Sequence, residues 1–168
     1  QLQLRLPTER YYEEEGRAEL TPRDFGILMH RVFENAATTD EIYMAIEAMT
    51  QDGVLDEKEA PRLRELVEKA LADPVTAEWF GGRWQVVRNE NEIILPGSGT
   101  TRRPDRVMTD GERAVVVDYK FGDRETARHR KQIREYLRLL RQMGYTRTEG
   151  YLWYVRLGRT ERVEEKED

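Results

Sequence analysis

Two aspartates and a lysine form the most chemically loaded stretch of this sequence: Arg103-Pro104-Asp105-Arg106, and then, with twelve residues between the two aspartates, Asp118-Tyr119-Lys120. Two carboxylates brought to one point repel each other and lose hydration, unless a cation neutralises them. Lys120 lies two positions after Asp118, so on a strand both project from one face. An ammonium beside such a pair can orient a water or stabilise charge on a phosphate under attack. A plainer arrangement also suits the spacing, in which Asp105 ends a turn and Asp118 and Lys120 form a surface ion pair. Against it, Val115-Val116-Val117 reads as interior strand and runs into Asp-Tyr-Lys without a turn residue. Charge at the end of a buried strand is costly unless it has a task.

Other candidates lie on either side. Gly26-x-x-x-His30 places a histidine one helical turn after a glycine that costs about 1 kcal/mol relative to Ala, a cost acceptable where another segment must approach closely. Taken alone, His30 reads as a hydrogen-bonded helix histidine. His129, among Arg128, Arg130 and Lys131, reads as solvent-facing. Glu90 and Glu92 share a face by alternation, and a solvated strand edge suits either as well as a site does. Gln132 precedes Tyr136 by one turn, at the edge of an apolar helix face. Arg130, Arg134, Arg138 and Arg141 recur at four, four and three residues and form a separate stripe, either an ordinary solvated face or a surface for tracking phosphates. Trp79, Phe80, Trp84, Trp153 and Tyr154 are assigned to core or interface.

The elements that must carry these residues follow from periodicity. Thr21-Pro22-Arg23-Asp24 is a helix start with a cap, a proline at the first position and a capping box. Phe25, Leu28, Met29, Val32 and Phe33 continue it at helical spacing. A second helix is predicted over 40–51 and a third from Asp56 to Asp73-Pro74. From Trp84 the pattern becomes short and β-rich: Val86-Val87, Ile93 to Leu95, Arg106 to Met108 and Ala114 to Tyr119. Asp110-Gly111 makes the last two a hairpin. A long amphipathic helix over 125–142 and a strand from Tyr151 to Arg156 follow. The result is one α/β domain over 21–157, between a lead-in at 1–20 and a charged tail at 158–168.

Composition narrows the chemistry. The 168 residues contain no cysteine, which removes disulfides, thiolate nucleophiles and iron–sulfur clusters and fits a reducing, cytoplasmic setting. A metal would be held by His, Asp, Glu or backbone oxygens, the set suited to Mg²⁺, Mn²⁺ or Ca²⁺. No apolar run approaches membrane-spanning length, so no membrane partner is expected. Net charge is −5, but Arg124 to Arg141 holds seven basic residues and two acidic ones. A local basic stripe on an acidic protein suits an anionic ligand met at one place.

Pro104-Asp105 with Asp118-Tyr119-Lys120 resembles the signature of the PD-(D/E)XK nuclease superfamily. The Val-Asp-Tyr-Lys form is similar to that of RecB-like nucleases at the C-terminus of bacterial helicase–nuclease subunits. Gly26-x-x-x-His30 and Gln132-x-x-x-Tyr136 match that branch's upstream and downstream motifs, in order. The resemblance implies a restriction-endonuclease-like core, with a mixed sheet containing an antiparallel hairpin, flanked by helices and preceded by an N-terminal helical segment. It also implies Mg²⁺-dependent cleavage of DNA, with exonuclease action in recombinational repair, and Mn²⁺ able to substitute. His30, Asp105, Asp118 and the Tyr119 carbonyl would hold the metal; Lys120, Gln132, Tyr136 and Glu90 would complete the catalytic set. The implied partners are DNA, upstream helicase domains of the same chain, and a second helicase–nuclease subunit. Arg102 replaces a usual glycine, and Phe121-Gly122 replaces the commoner Thr-Gly. The rival is a non-catalytic DNA-binding or docking module that keeps the fold.

Overall fold

Alternation along one strand decides the architecture. The computed structural model describes residues 19–89, 93–94, 101–121 and 127–166. Its five-stranded sheet runs in the order β1 (Val86–Asn89), β4 (Arg106–Asp110), β5 (Arg113–Lys120), β6 (Arg147–Tyr154) and β7 (Arg159–Val163). Among the described residues only β5 and β6 pair in parallel. A parallel pair needs a crossover, here α5 (Ala127–Gln142). Two short strands, β2 (Ile93–Ile94) and β3 (Thr101–Arg102), pair separately.

Both faces of β5 are covered, which its run of β-branched residues requires. Val115, Val117 and Tyr119 share a core with the helical layer of α1 (Pro22–Glu34), α2 (Thr39–Gln51), α3 (Ala60–Ala70) and α4 (Pro74–Trp79). Ala114 and Val116 pack instead with Ile133, Tyr136, Leu137 and Leu140 of α5. Each aliphatic side chain so buried contributes about 1.5–3 kcal/mol. The assignment of Trp79, Phe80, Trp153 and Tyr154 to the core holds, while Trp84 is half-buried. Among the described residues no helix is long and apolar enough to cross a membrane.

The predicted start of α1 forms as read. Thr21 Oγ1 accepts from the Asp24 N–H at 3.2 Å, and Asp24 accepts from the Thr21 N–H at 2.8 Å. The third helix begins at Ala60 rather than Asp56, because Asp56 accepts from the Lys58 N–H and closes a turn first. The six-residue α4 is too short to show periodicity. The charged stretch from 158 is not simply a tail: Arg159–Val163 pairs with β6 and buries Val163. Charged residues on an edge strand conceal it from a reading by hydrophobicity.

Gly150 lets α5 approach β6. A Cβ there would stand 2.4 Å from Ile133 Cγ2 and 3.2 Å from both Leu137 methyls. Gly150→Ala is expected to cost about 1–3 kcal/mol in urea unfolding, the usual size of overpacking. Adding Ile133→Ala should recover part of it. Simple additivity of the two losses would show that this contact is not the cause.

Candidate active site

The register of the β4–β5 hairpin assembles the acidic pair. Arg106 lies opposite Val117, so the next step sets Asp105 against Asp118. The two bind each other's backbone. The Asp105 N–H donates to Asp118 Oδ1 at 3.1 Å, and the Tyr119 N–H donates to Asp105 Oδ2 at 2.7 Å. Tyr119 therefore joins the cluster through its main chain, while its ring packs in the helical-side core. Lys120 Nζ stands 3.7 Å from Asp118 Oδ2, which bears out the shared strand face.

His30 reaches the same place from α1, its Nε2 3.4 Å from Asp105 Oδ1. Edge contacts to the rings of Tyr119 and Phe121, 6.0 and 5.7 Å between centroids, set its orientation. Gly26, one turn earlier, permits this approach: a Cβ there would lie 3.2 Å from the Phe121 Cβ. The glycine in mid-helix thus has its expected reason, a close crossing of α1 over the end of β5.

Asp118 is 4% exposed. Burial, and then the Asp105 charge, push its carboxyl up to about 6, with Lys120 pulling the other way. Two carboxylates that resist ionising together, beside an imidazole nitrogen, are hard oxygen and nitrogen donors of the kind Mg²⁺ and Mn²⁺ take. Among the described residues no three acidic or histidine side chains already enclose one point. The donor types and the mutual repulsion of the aspartates fit a cation all the same. Glu90, with Glu92, lies outside the described residues.

Arg106 is the site residue that sequence reading passed over. It alternates with Asp105, so it points into the helical layer and is fully buried. Its guanidinium donates to the Ala36, Ala37 and Trp79 carbonyls at 2.5, 2.9 and 2.7 Å and to Asn89 Oδ1 at 3.1 Å. Its CZ lies 4.0 Å from the centre of the Phe80 ring. Burial lowers its pKa from the ordinary value. One side chain thus ties the end of α1, which carries His30, and the end of α4 to the strand that presents Asp105. The only sequence signal was an arginine inside an apolar strand.

On α5, Gln132 Nε2 donates to the Tyr136 hydroxyl at 3.1 Å, and Tyr136 is fully buried on the side of the sheet that Asp118 and Lys120 share. The arginine stripe is not an open face. Arg130 pairs with Glu161, Arg134 Nε donates to the Glu164 carbonyl at 3.3 Å, and Arg141 Nε meets Glu165 at 2.6 Å. Pairing of β7 beside β6 carries those C-terminal acids along α5, so residues set apart in the sequence become neighbours. Arg138 is exposed. His129, read as solvent-facing, is only half-exposed, and its Nδ1 is buried.

A family model described as the PD-(D/E)XK nuclease superfamily matches residues 1–168. No curated protein matches the chain.

Proposed function

The chain belongs to the PD-(D/E)XK nuclease superfamily, and from that premise we propose that it hydrolyses phosphodiester bonds of DNA with a divalent cation, Mg²⁺ or in its place Mn²⁺. The observation that carries this reading is the reciprocal clasp of Asp105 and Asp118, with Lys120 3.7 Å from the second carboxylate. His30, Asp105, Asp118 and the Tyr119 carbonyl would hold the cation, which supplies charge neutralisation and polarisation of the scissile phosphate. Asp118 and Asp105 stay in place because backbone N–H groups fix one oxygen of each. Lys120 presents its ammonium beside them, where it orients the attacking water or stabilises charge growing on the phosphate. Gln132 and Tyr136 brace the neighbouring wall.

Labelled single- and double-stranded DNA incubated with Mg²⁺ or Mn²⁺ tests the reading. Lys120→Ala is expected to retain Mn²⁺ binding and lose on the order of 10²–10³-fold in rate, the typical size for one electrostatic stabiliser. Normal turnover would make Lys120 a surface residue. DNA binding without cleavage by the wild type would favour the non-catalytic module.

The finer proposal is exonuclease action as the nuclease domain of a helicase–nuclease in recombinational repair. It rests on the Gly26-x-x-x-His30 and Gln132-x-x-x-Tyr136 spacings, and ATP-dependence of degradation by the longer protein tests it. Arg130, Arg134, Arg138 and Arg141 are proposed to track the DNA backbone, exchanging Glu161, Glu164 and Glu165 for phosphates. Each phosphate contact contributes a slope of about −0.9 in log affinity against log salt on duplex, or about −0.7 on single strands. Arg134→Gln/Arg138→Gln should therefore flatten the slope by roughly one to two units. An unchanged slope would place the DNA track elsewhere.

A further inference from the structure

α5 follows β5 after a short connection, so its first turn lies by the end of β5 that carries Asp118 and Lys120. His129 is on that turn. Three residues on is Gln132 and seven on is Tyr136, a spacing that puts all three on one helix face. Tyr136 packs with Val116, and alternation places Asp118 and Lys120 on that same side of β5. His129 Nδ1 is buried and, among the described residues, has no hydrogen-bond partner. An orphaned buried nitrogen is costly and calls for a reason. Meanwhile Lys120 rests against Asp118, a residue whose oxygens are proposed for a cation.

We propose that His129 is a positioning residue for Lys120: once Asp118 gives its oxygens to a cation, the ammonium turns to the neutral imidazole and donates a hydrogen bond to Nδ1. This rests on the nuclease reading for the role of Lys120. The charged groups around the ring explain why it can accept. Lys120 on β5 and Arg128 and Arg130 on α5 add to burial in lowering its pKa. Glu161 on β7 pairs with Arg130. A neutral imidazole has one nitrogen free to accept, whereas an imidazolium has none. The pair would hold the ammonium where the phosphate arrives instead of letting it sample solvent.

Imidazole titration by NMR, in the metal-free protein, comes first: His129 should titrate below a free histidine and move upward in Lys120→Ala. On adding Mg²⁺, its nitrogen signals should shift in the wild type and not in Lys120→Ala. In cleavage assays, His129→Ala should lower kcat about ten- to a hundredfold, the worth of one hydrogen bond to a charged group. KM and Mn²⁺ affinity should be unchanged, and His129→Gln should restore part of the rate. In a Lys120→Ala background the same change should cost nothing more. An equal loss in both backgrounds, or an imidazole titration indifferent to Lys120, overturns the proposal. If the wild type cleaves nothing, the nuclease reading fails, and the two NMR measurements still decide whether His129 answers to Lys120.

Discussion

Replacing Asp118 is expected to abolish cleavage and, at the same time, to make the metal-free protein more stable. Both effects follow from one buried carboxyl. In the folded chain its pKa is pushed up to about 6, against 3.8 ordinarily. Between those values the folded state keeps a proton that the unfolded chain has released, so stability falls as pH rises through the window. Above about pH 6 the whole penalty of a buried charge beside Asp105 is present. Asp118→Asn keeps an oxygen to accept from the Asp105 N–H and removes the charge. Its melting temperature without metal should exceed that of the wild type at pH 8, and the gap should close near pH 3.5. Mn²⁺ should raise the melting temperature of the wild type above pH 6, through a stabilisation of as much as roughly 2.7 kcal/mol at a hundred times its dissociation constant. It should do little for Asp118→Asn or Asp118→Ala. Undiminished cleavage by purified Asp118→Ala would sink the site assignment, and a less stable Asp118→Asn at pH 8 would contradict the electrostatic account.

Arg106 carries the second large effect, on stability and, through it, on the site. Arg106→Met removes a donor from three main-chain carbonyls at the ends of α1 and α4, of which that of Ala36 keeps Asn89 Nδ2 at 3.4 Å. A buried acceptor left unpaired costs about 1–3 kcal/mol, so the expected loss is on the order of 3–5 kcal/mol after partial relaxation. That is a large part of the roughly 5–15 kcal/mol that holds a typical domain folded. Arg106→Lys should recover little, since one ammonium cannot match a planar fork that serves carbonyls on two elements and stacks on Phe80. Urea unfolding measures both. A loss under about 1 kcal/mol for Arg106→Met would mean that water replaces the guanidinium and that the link between α1 and β4 is not its work. Where the variant remains folded, weaker Mn²⁺ binding is expected, because His30 and Asp105 sit on the two elements it joins.

Much of the candidate site was legible because its determinants are local. The hairpin follows from Asp110-Gly111 between two apolar runs, and its register places Asp105 against Asp118 without further information. Period two then sends Lys120 to the face of Asp118. The capping box of α1 and the apolar stripe of α5 are equally local. Elements with few apolar residues left no such trace. β7 has one buried aliphatic, Val163, and α4 is six residues long. Their stability comes from β6 and from the helical layer, neither adjacent in sequence.

By itself, then, the sequence determined which residues share a strand face or a helix face, since alternation and helical repeat are properties of the backbone. It thereby determined the pairing of two aspartates and a lysine. Only the tertiary structure decided which face meets which layer. It sent Arg106 into the carbonyls of α1 and α4, and brought His30 across Gly26 to Asp105. It folded the acidic segment of β7 against the arginines of α5, and left His129 half-buried with its Nδ1 covered. Those outcomes depend on contacts between segments far apart in the chain, where burial and the satisfaction of buried polar groups are settled jointly by elements that no local pattern can place.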